Sequence, residues 1–126
     1  MKITGFNPMV ISPKADDVIQ VFADLGFEKT HAPVTQTETG EVECVRMKDS
    51  SGFHVDVANL DYIPKDMTYI RVNVDNFAEA YEILIARGFK NTRGDGTIDS
   101  GSAKAATMVS PSGFTISLVE HIKNND

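Results

Sequence analysis

Asp49-Ser50-Ser51-Gly52-Phe53 runs into His54-Val55-Asp56-Val57, and Ser110-Pro111-Ser112-Gly113-Phe114 runs into Thr115-Ile116-Ser117-Leu118. A Ser-Gly-Phe turn therefore recurs after 61 positions, from Gly52 to Gly113, each time opening an alternating apolar run. Upstream, Leu25-Gly26-Phe27 returns as Arg87-Gly88-Phe89 after 62 positions, from Gly26 to Gly88. Between these anchors Val18 matches Ala80, Phe22 matches Leu84 and Met47 matches Met108, so the register holds with one slipped residue. Repetition on this scale marks a supersecondary unit written twice, and two such units are expected to enclose a cavity at their junction.

Each copy reads as a strand followed by a helix. In the first, an apolar stretch from Ile3 to Ile11 ends at Ser12-Pro13, where Ser12 suits a helix cap and Pro13 the first helical turn. Val18, Val21, Phe22 and Leu25 then fall on one helical stripe, and Gly26 offers the left-handed residue that stops it. In the second, Tyr69 to Val74 alternates as a strand, and Asn76 with Glu79 forms a capping-box-like start. Phe77, Ala80, Tyr81 and Leu84 make the stripe there, closed by Gly88. Three strand-like runs follow each helix: about Glu28 to Thr35, Glu41 to Lys48 and Phe53 to Asn59, then Lys90 to Arg93, Ala103 to Val109 and Phe114 to His121. The predicted class is α+β, with two β-α-β-β-β modules, about 1–60 and 67–121, joined by 59–66 within a single domain of 126 residues.

A chain of this length buries roughly two-thirds of its unfolded surface and needs no covalent staple. Its single cysteine, Cys44, has no internal partner and reads as a small apolar residue in a reducing cytoplasm. Met1-Lys2-Ile3-Thr4-Gly5 opens no long apolar segment, so no secretory leader is expected. The formal charge of -6 argues against nucleic acid, which needs a basic stripe, and no apolar run is long enough to suggest a membrane span.

Strand alternation separates two chemically different faces. Val55, Val57, Ile70, Val72, Val74, Ile116 and Leu118 form an apolar face that belongs under the helices. The other carries His54, Asp56, Tyr69, Arg71, Asn73, Thr115 and Ser117, with Asn7, Met9 and Ile11 from the first strand by analogy. Polar groups on central strands meet water or a ligand, because burial without a partner costs about 1–3 kcal/mol each. A solvated sheet face and a ligand-binding face are both open at this point. His31 can face either side, His121 is expected to be solvated at the strand end, and Glu120 reads as an end-of-strand charge on the apolar side. Gly94-Asp95-Gly96 and Asp99-Ser100-Gly101 read as turns or a loop over the cavity mouth.

Through residues 3 to 121, in its strand-helix openings, its Leu-Gly-Phe and Arg-Gly-Phe helix exits and its two Ser-Gly-Phe turns, the chain resembles the vicinal oxygen chelate superfamily. This is also called the glyoxalase, bleomycin-resistance and dioxygenase superfamily. The resemblance implies curved mixed sheets around a shared cavity, with helices on the outer face. Metal-dependent members place a His or Gln on the first strand and a Glu on the last strand of each module. Those positions fall here on Asn7, Tyr69, Asp56 and Ser117, a poor set for a divalent ion, so no metal and no cofactor are expected.

The leading reading is a metal-free small-molecule-binding protein similar to the bleomycin-resistance type, taking a small polar or anionic ligand. Asn7, Met9, His54, Asp56, Tyr69, Arg71, Asn73 and Ser117 would line its site, with Arg71 as a carboxylate clamp. Arg71 paired with Asp56 or a Glu is the structural alternative. A second reading is a lyase or isomerase similar to glyoxalases and epimerases, in which His54 and Asp56 are the catalytic candidates, on a metal or as a metal-free acid/base pair. A third is an interaction module, and the expected assembly in all three is a homodimer. No Gly-rich phosphate loop, Cys-x-x-Cys, Gly-x-Ser-x-Gly or His-Glu-x-x-His competes with these readings.

Overall fold

The first module consists of β1 (Ile3–Ser12), α1 (Ala15–Asp24), β2 (Glu28–His31), β3 (Val34–Thr37), β4 (Gly40–Lys48) and β5 (His54–Asn59). The second consists of β6 (Met67–Val74), α2 (Phe77–Ala86), β7 (Lys90–Asn91), β8 (Ile98–Asp99), β9 (Ala103–Val109) and β10 (Thr115–His121). The computed structural model describes residues 1–31, 34–37, 40–94, 98–99 and 103–121. They form two compact units, Asn7–Thr68 and Met1–Phe6 with Tyr69–Asp126, so that β1 is divided between them. The fold is α+β with two helices and mixed sheets, as the repeat implies. No helix among the described residues is long and apolar enough to cross a membrane.

Within the unit 7–68 the strand order is β2-β4-β5-β1. β5 runs parallel to β1, with Met9 beside Asp56 and Ser12 beside Asn59, and antiparallel to β4. α1 covers the face of Val45, Met47 and Val55, against which Ile19, Phe22 and Phe27 pack. Within the other unit the order β6-β10-β9-β7 repeats the plan, with β6 and β10 parallel and β9 antiparallel to β10. Its core joins Val74, Ala106, Met108 and Leu118 to Phe77 and Ala80 of α2. The matched methionines Met47 and Met108 are 1% and 0% exposed, each worth about 1.5–3 kcal/mol of burial. Gly26 and Gly88 end their helices at φ of 110° and 91°, a region that L side chains avoid.

Four details depart from the sequence reading. First, α1 turns Ala15, Val18, Ile19 and Phe22 inward, while Val21 and Leu25 are 56% and 70% exposed, so the predicted stripe is rotated by about one residue. Second, Ser12 does not cap α1: its Oγ accepts the Lys14 N–H at 3.0 Å and donates to Asp66 Oδ1 at 2.6 Å. Third, the run from Glu28 to Thr35 forms two strands, β2 and β3, around residues outside the described set. Fourth, β8 adds a short strand to β9 that the sequence did not suggest. The side chain of His31 and the loop positions Asp95, Gly96, Ser100 and Gly101 lie outside the described residues.

The caps of the two helices come from the far end of each module. Ala15, the first residue of α1, donates its N–H to Asn59 Oδ1 at 3.2 Å, and Phe77, the first residue of α2, donates to Glu120 Oε1 at 2.7 Å. Asn59 and Glu120 both stand seven residues after their turn glycines, Gly52 and Gly113. Glu120 thus lies on the helix side of the sheet, as alternation requires, where its charge also complements the helix dipole. Asn76 adds the predicted local cap by accepting the Glu79 N–H at 3.1 Å. The turns repeat as well: Asp49 Oδ1 accepts the Phe53 N–H at 2.8 Å, and Ser110 Oγ accepts that of Phe114 at 2.9 Å.

Candidate functional site

Strand alternation places the polar residues of both units on the sheet face turned away from the helices. In the unit 7–68 three of them, Asn7, Arg46 and Asp56, are linked. Asp56 is 0% exposed and Asn7 is 3% exposed, on neighbouring strands. Asn7 Nδ2 donates to Asp56 Oδ2 at 2.9 Å and to its own neighbour's carbonyl, Pro8 O, at 2.9 Å. Arg46 lies directly opposite Asp56 in the β4–β5 ladder. Its Nε stands 3.5 Å from Asp56 Oδ1, and its Nη2 donates to Asn7 Oδ1 at 3.3 Å. A buried carboxylate needs such a counter-charge, since an uncompensated one would cost several kcal/mol. Within this unit the cation beside Asp56 is Arg46, which the sequence reading did not single out.

His54 begins β5, opposite Lys48, and is half-buried on the same face as Asp56. Its Nδ1 is buried with no hydrogen-bond partner among the described residues. Met9 lies half-buried beside Asp56 in the β1–β5 ladder.

The other unit holds Tyr69, Arg71, Asn73 and Ser117. Arg71 Nε donates to Asn73 Oδ1 at 3.1 Å, and Arg71 Nη2 lies 3.1 Å from His121 Nε2. His121 is therefore half-buried against the guanidinium, in place of the solvated strand end the sequence suggested. Ser117 is half-buried between Arg71 and Thr107 in the ladders on either side of β10, and Tyr69 is half-buried on β6. Gly5 makes room for this arrangement, because a Cβ there would stand 2.9 Å from Asn73 Nδ2. By alternation and register, β6, β7, β9 and β10 place no acidic residue on this face, while they place Arg71 and Lys90 on it. Glu120 faces α2.

The resemblance raises a metal at Asn7, Asp56, Tyr69 and Ser117, and the donor chemistry answers it. Asn7 presents its amide N–H to Asp56, and its carbonyl is taken by Arg46. A divalent ion about 4 Å from a guanidinium would meet a repulsion of about 8 kcal/mol at an effective dielectric of 20, equal to the attraction of one carboxylate at that distance. Nothing then offsets the loss of the ion's hydration, and neutral Tyr69 and Ser117 are poor ligands. Among the described residues no group of three or more His, Cys, Asp or Glu could hold a metal ion. This side-chain set does not fit a divalent metal.

A cavity of about 420 Å³ lies on the α1 side of the unit 7–68, lined by Pro13, Asp16, Asp17, Ile19, Glu43 and Val57 among others. It contains none of the polar-face residues, and its three carboxylates, Asp16, Asp17 and Glu43, outnumber its one cation, Lys14, which makes it a poor host for an anion.

No protein-family model and no curated protein sequence matches the chain. Solved structures do. A methylmalonyl-CoA epimerase from Mycobacterium tuberculosis matches with a TM-score of 0.72 at 12% identity, over 96% of this chain and 90% of that one. A methylmalonyl-CoA epimerase from Streptomyces coelicolor, in complex with 2-nitronate-propionyl-CoA, matches with a TM-score of 0.66 at 15% identity, over 97% of this chain and 100% of that one. A glyoxalase/bleomycin resistance protein/dioxygenase superfamily member from Vibrio splendidus 12B01 matches with a TM-score of 0.62 at 14% identity, over 94% and 99%. With two modules of matching strand order and turns, each a strand, a helix and a run of further strands, the chain has the fold of the vicinal oxygen chelate superfamily.

Proposed function

We propose that the protein binds a small anionic molecule on the polar face of its sheet, without a divalent metal. The observation that carries this reading is the charge of the face in the unit that holds Tyr69 to Ser117: β6, β7, β9 and β10 turn Arg71 and Lys90 and no acid to it, in a chain of net charge -6. A protein that concentrates positive charge on one sheet face against its own net charge is built to attract anions there. Asn73 holds the Arg71 guanidinium in a fixed direction, which lowers the ordering cost of clamping a carboxylate. Half-buried Tyr69 and Ser117 add a ring and a hydroxyl beside it. The acyl-CoA ligand of the Streptomyces neighbour supports including acyl thioesters among the candidates.

Thermal unfolding with a panel of small carboxylates, acyl-CoA thioesters and their neutral amides tests the reading. At least one anion should stabilise the protein, by about 2.7 kcal/mol when present at a hundred times its Kd. Arg71→Ala should remove that stabilisation while the variant remains folded. Equal stabilisation by the neutral amides, or unchanged affinity in Arg71→Ala, would sink the clamp.

A second reading, proton transfer by His54 in a lyase or isomerase, is favoured by one observation: its buried Nδ1 has no hydrogen-bond partner among the described residues. In that reading His54 acts without Asp56, whose carboxylate is engaged by Asn7 and Arg46. Solvent deuterium exchange into an acyl thioester's α-position, lost in His54→Gln, would support it, and exchange at the same rate in the variant would remove it.

A further inference from the structure

We propose that the cavity beside the start of α1 is a second binding site, one that takes a small organic cation with a ring or other flat apolar body, such as an arylalkylamine. No residue of its lining belongs to the anion-binding face proposed above. The second module shows what fills the equivalent space. At the 62-residue offset of Gly26 and Gly88, Ala15 and Ile19 of α1 correspond to Phe77 and Tyr81 of α2. Ala15 and Phe77 are also the two residues whose amides are capped from the last strand, so the match holds in structure as well as in sequence. The Phe77 and Tyr81 rings stack with their centres 5.7 Å apart, and Lys104 Nζ lies 5.9 Å from the centre of the Phe77 ring. Phe77 belongs to the core that contains Ala106 and Leu118. The second module thus fills this corner with its own ring and its own cation.

The first module has neither. Its cavity of about 420 Å³ lies where Ala15 and Ile19 replace the two rings, beside buried Val45 and Val57, the counterparts of Ala106 and Leu118. That volume falls within the roughly 300–1,000 Å³ of small-molecule sites. The cation is replaced too: at the 61-residue offset of the strands, Glu43 on β4 stands where Lys104 stands on β9. Lys104 and Glu120 face each other across the β9–β10 ladder, while Glu43 and neutral Asn59 hold those positions here. The first module therefore keeps an acid at this corner and lacks both the ring and the cation that accompany the acid in the second. Asp16, in the place of Ala78, adds a carboxylate that the second module does not have, whereas Asp17 matches Glu79 and serves its helix dipole in the same way. Against them stands one exposed cation, Lys14. A ligand whose apolar body takes the place of the Phe77 ring would cover Val45 and Val57, and its ammonium would enter a rim of carboxylates.

The test titrates the full-length protein with phenethylamine, 2-phenylethanol and 3-phenylpropanoate, three probes that share a ring and differ in charge, and follows the amide resonances by two-dimensional NMR. Phenethylamine should shift the amides of Ala15, Asp16, Ile19 and Val45 saturably, with an affinity about tenfold above that of the neutral alcohol, and the carboxylate should leave them unmoved. Added salt should weaken the amine and not the alcohol. Glu43→Lys, which restores the charge found at Lys104, should weaken the amine by about tenfold, and Ala15→Phe, which supplies the ring found at Phe77, should abolish its binding. Should Ala15→Phe not fold, Glu43→Lys at an exposed strand position decides the matter by itself. Equal affinity for the three probes, unchanged amine affinity in Glu43→Lys, full amine binding by a folded Ala15→Phe, or no saturable shift of these amides with millimolar amine overturns the proposal.

Discussion

In the unit 7–68 the polar sheet face carries a linked trio: Asn7 bonds both Asp56 and Arg46, and buried Asp56 has the Arg46 cation beside it. In the unit with β6 to β10 the equivalent positions carry no ion pair at all. Arg46 and Asp56 face each other across the β4–β5 ladder, and 61 residues later Thr107 and Ser117 face each other across the β9–β10 ladder. The two members of the pair have been replaced together. That is what electrostatics demands, since losing one partner of a buried pair leaves a stranded charge, whereas losing both can be neutral. The cation of the second unit sits on another strand: Arg71 on β6 takes the place that Met9 has on β1. One face therefore sets its cation against a buried acid, and the other sets Arg71 against the neutral Asn73 amide and the His121 ring.

The comparison can be broken at its matched positions. The largest effect is expected for Asp56→Asn against Ser117→Ala. The first strands a guanidinium whose side chain is only 15% exposed and should cost about 3–5 kcal/mol in urea unfolding; the second should stay within about 0.5 kcal/mol. Similar costs at the two positions would mean that the faces are not electrostatically different. Next come Met47→Ala and Met108→Ala, each expected to cost about 2–5 kcal/mol, because the apolar faces, unlike the polar ones, are alike. A neutral result at either would show that the two cores are not equivalent. The smallest effects belong to the caps: Asn59→Ala and Glu120→Ala should each cost about 1 kcal/mol, with salt weakening only the Glu120 contribution. A salt-dependent Asn59 effect would contradict the hydrogen-bond account of both.

The strands and the two-module plan were readable because alternation and turn chemistry are local, and Asn76 announced its own cap. The start of α1 was not, because the hydroxyl of Ser12 found nearer and more distant partners in Lys14 and Asp66, while the cap came from Asn59 on another strand. The face of α1 was ambiguous for a related reason: Val18, Ile19, Val21 and Phe22 leave two overlapping stripes, and only the shape of the sheet beneath decides between them. Arg46 was within reach. Cys44, Arg46 and Lys48 alternate with Val45 and Met47, which puts Arg46 on the polar face, and pairing β4 with β5 puts it opposite Asp56. His121 was missed because a strand's final residue gives no periodic signal of its own, and its partner Arg71 lies 50 positions away.

The strand-to-helix caps have a consequence for the order in which the chain can mature. Asn59 reaches back 44 residues to α1, and Glu120 reaches back 43 residues to α2. During synthesis each helix leaves the ribosome long before the residue that completes its first turn, so a newborn α1 is left with an open amide end until the whole of its module has been translated. The two reaches are nearly equal, so the entropy of closing them is nearly equal too. Each module thus carries the residue that completes its helix at or next to the end of its last strand, and a chain stalled between Asn59 and Glu120 would hold that residue for α1 but not yet for α2.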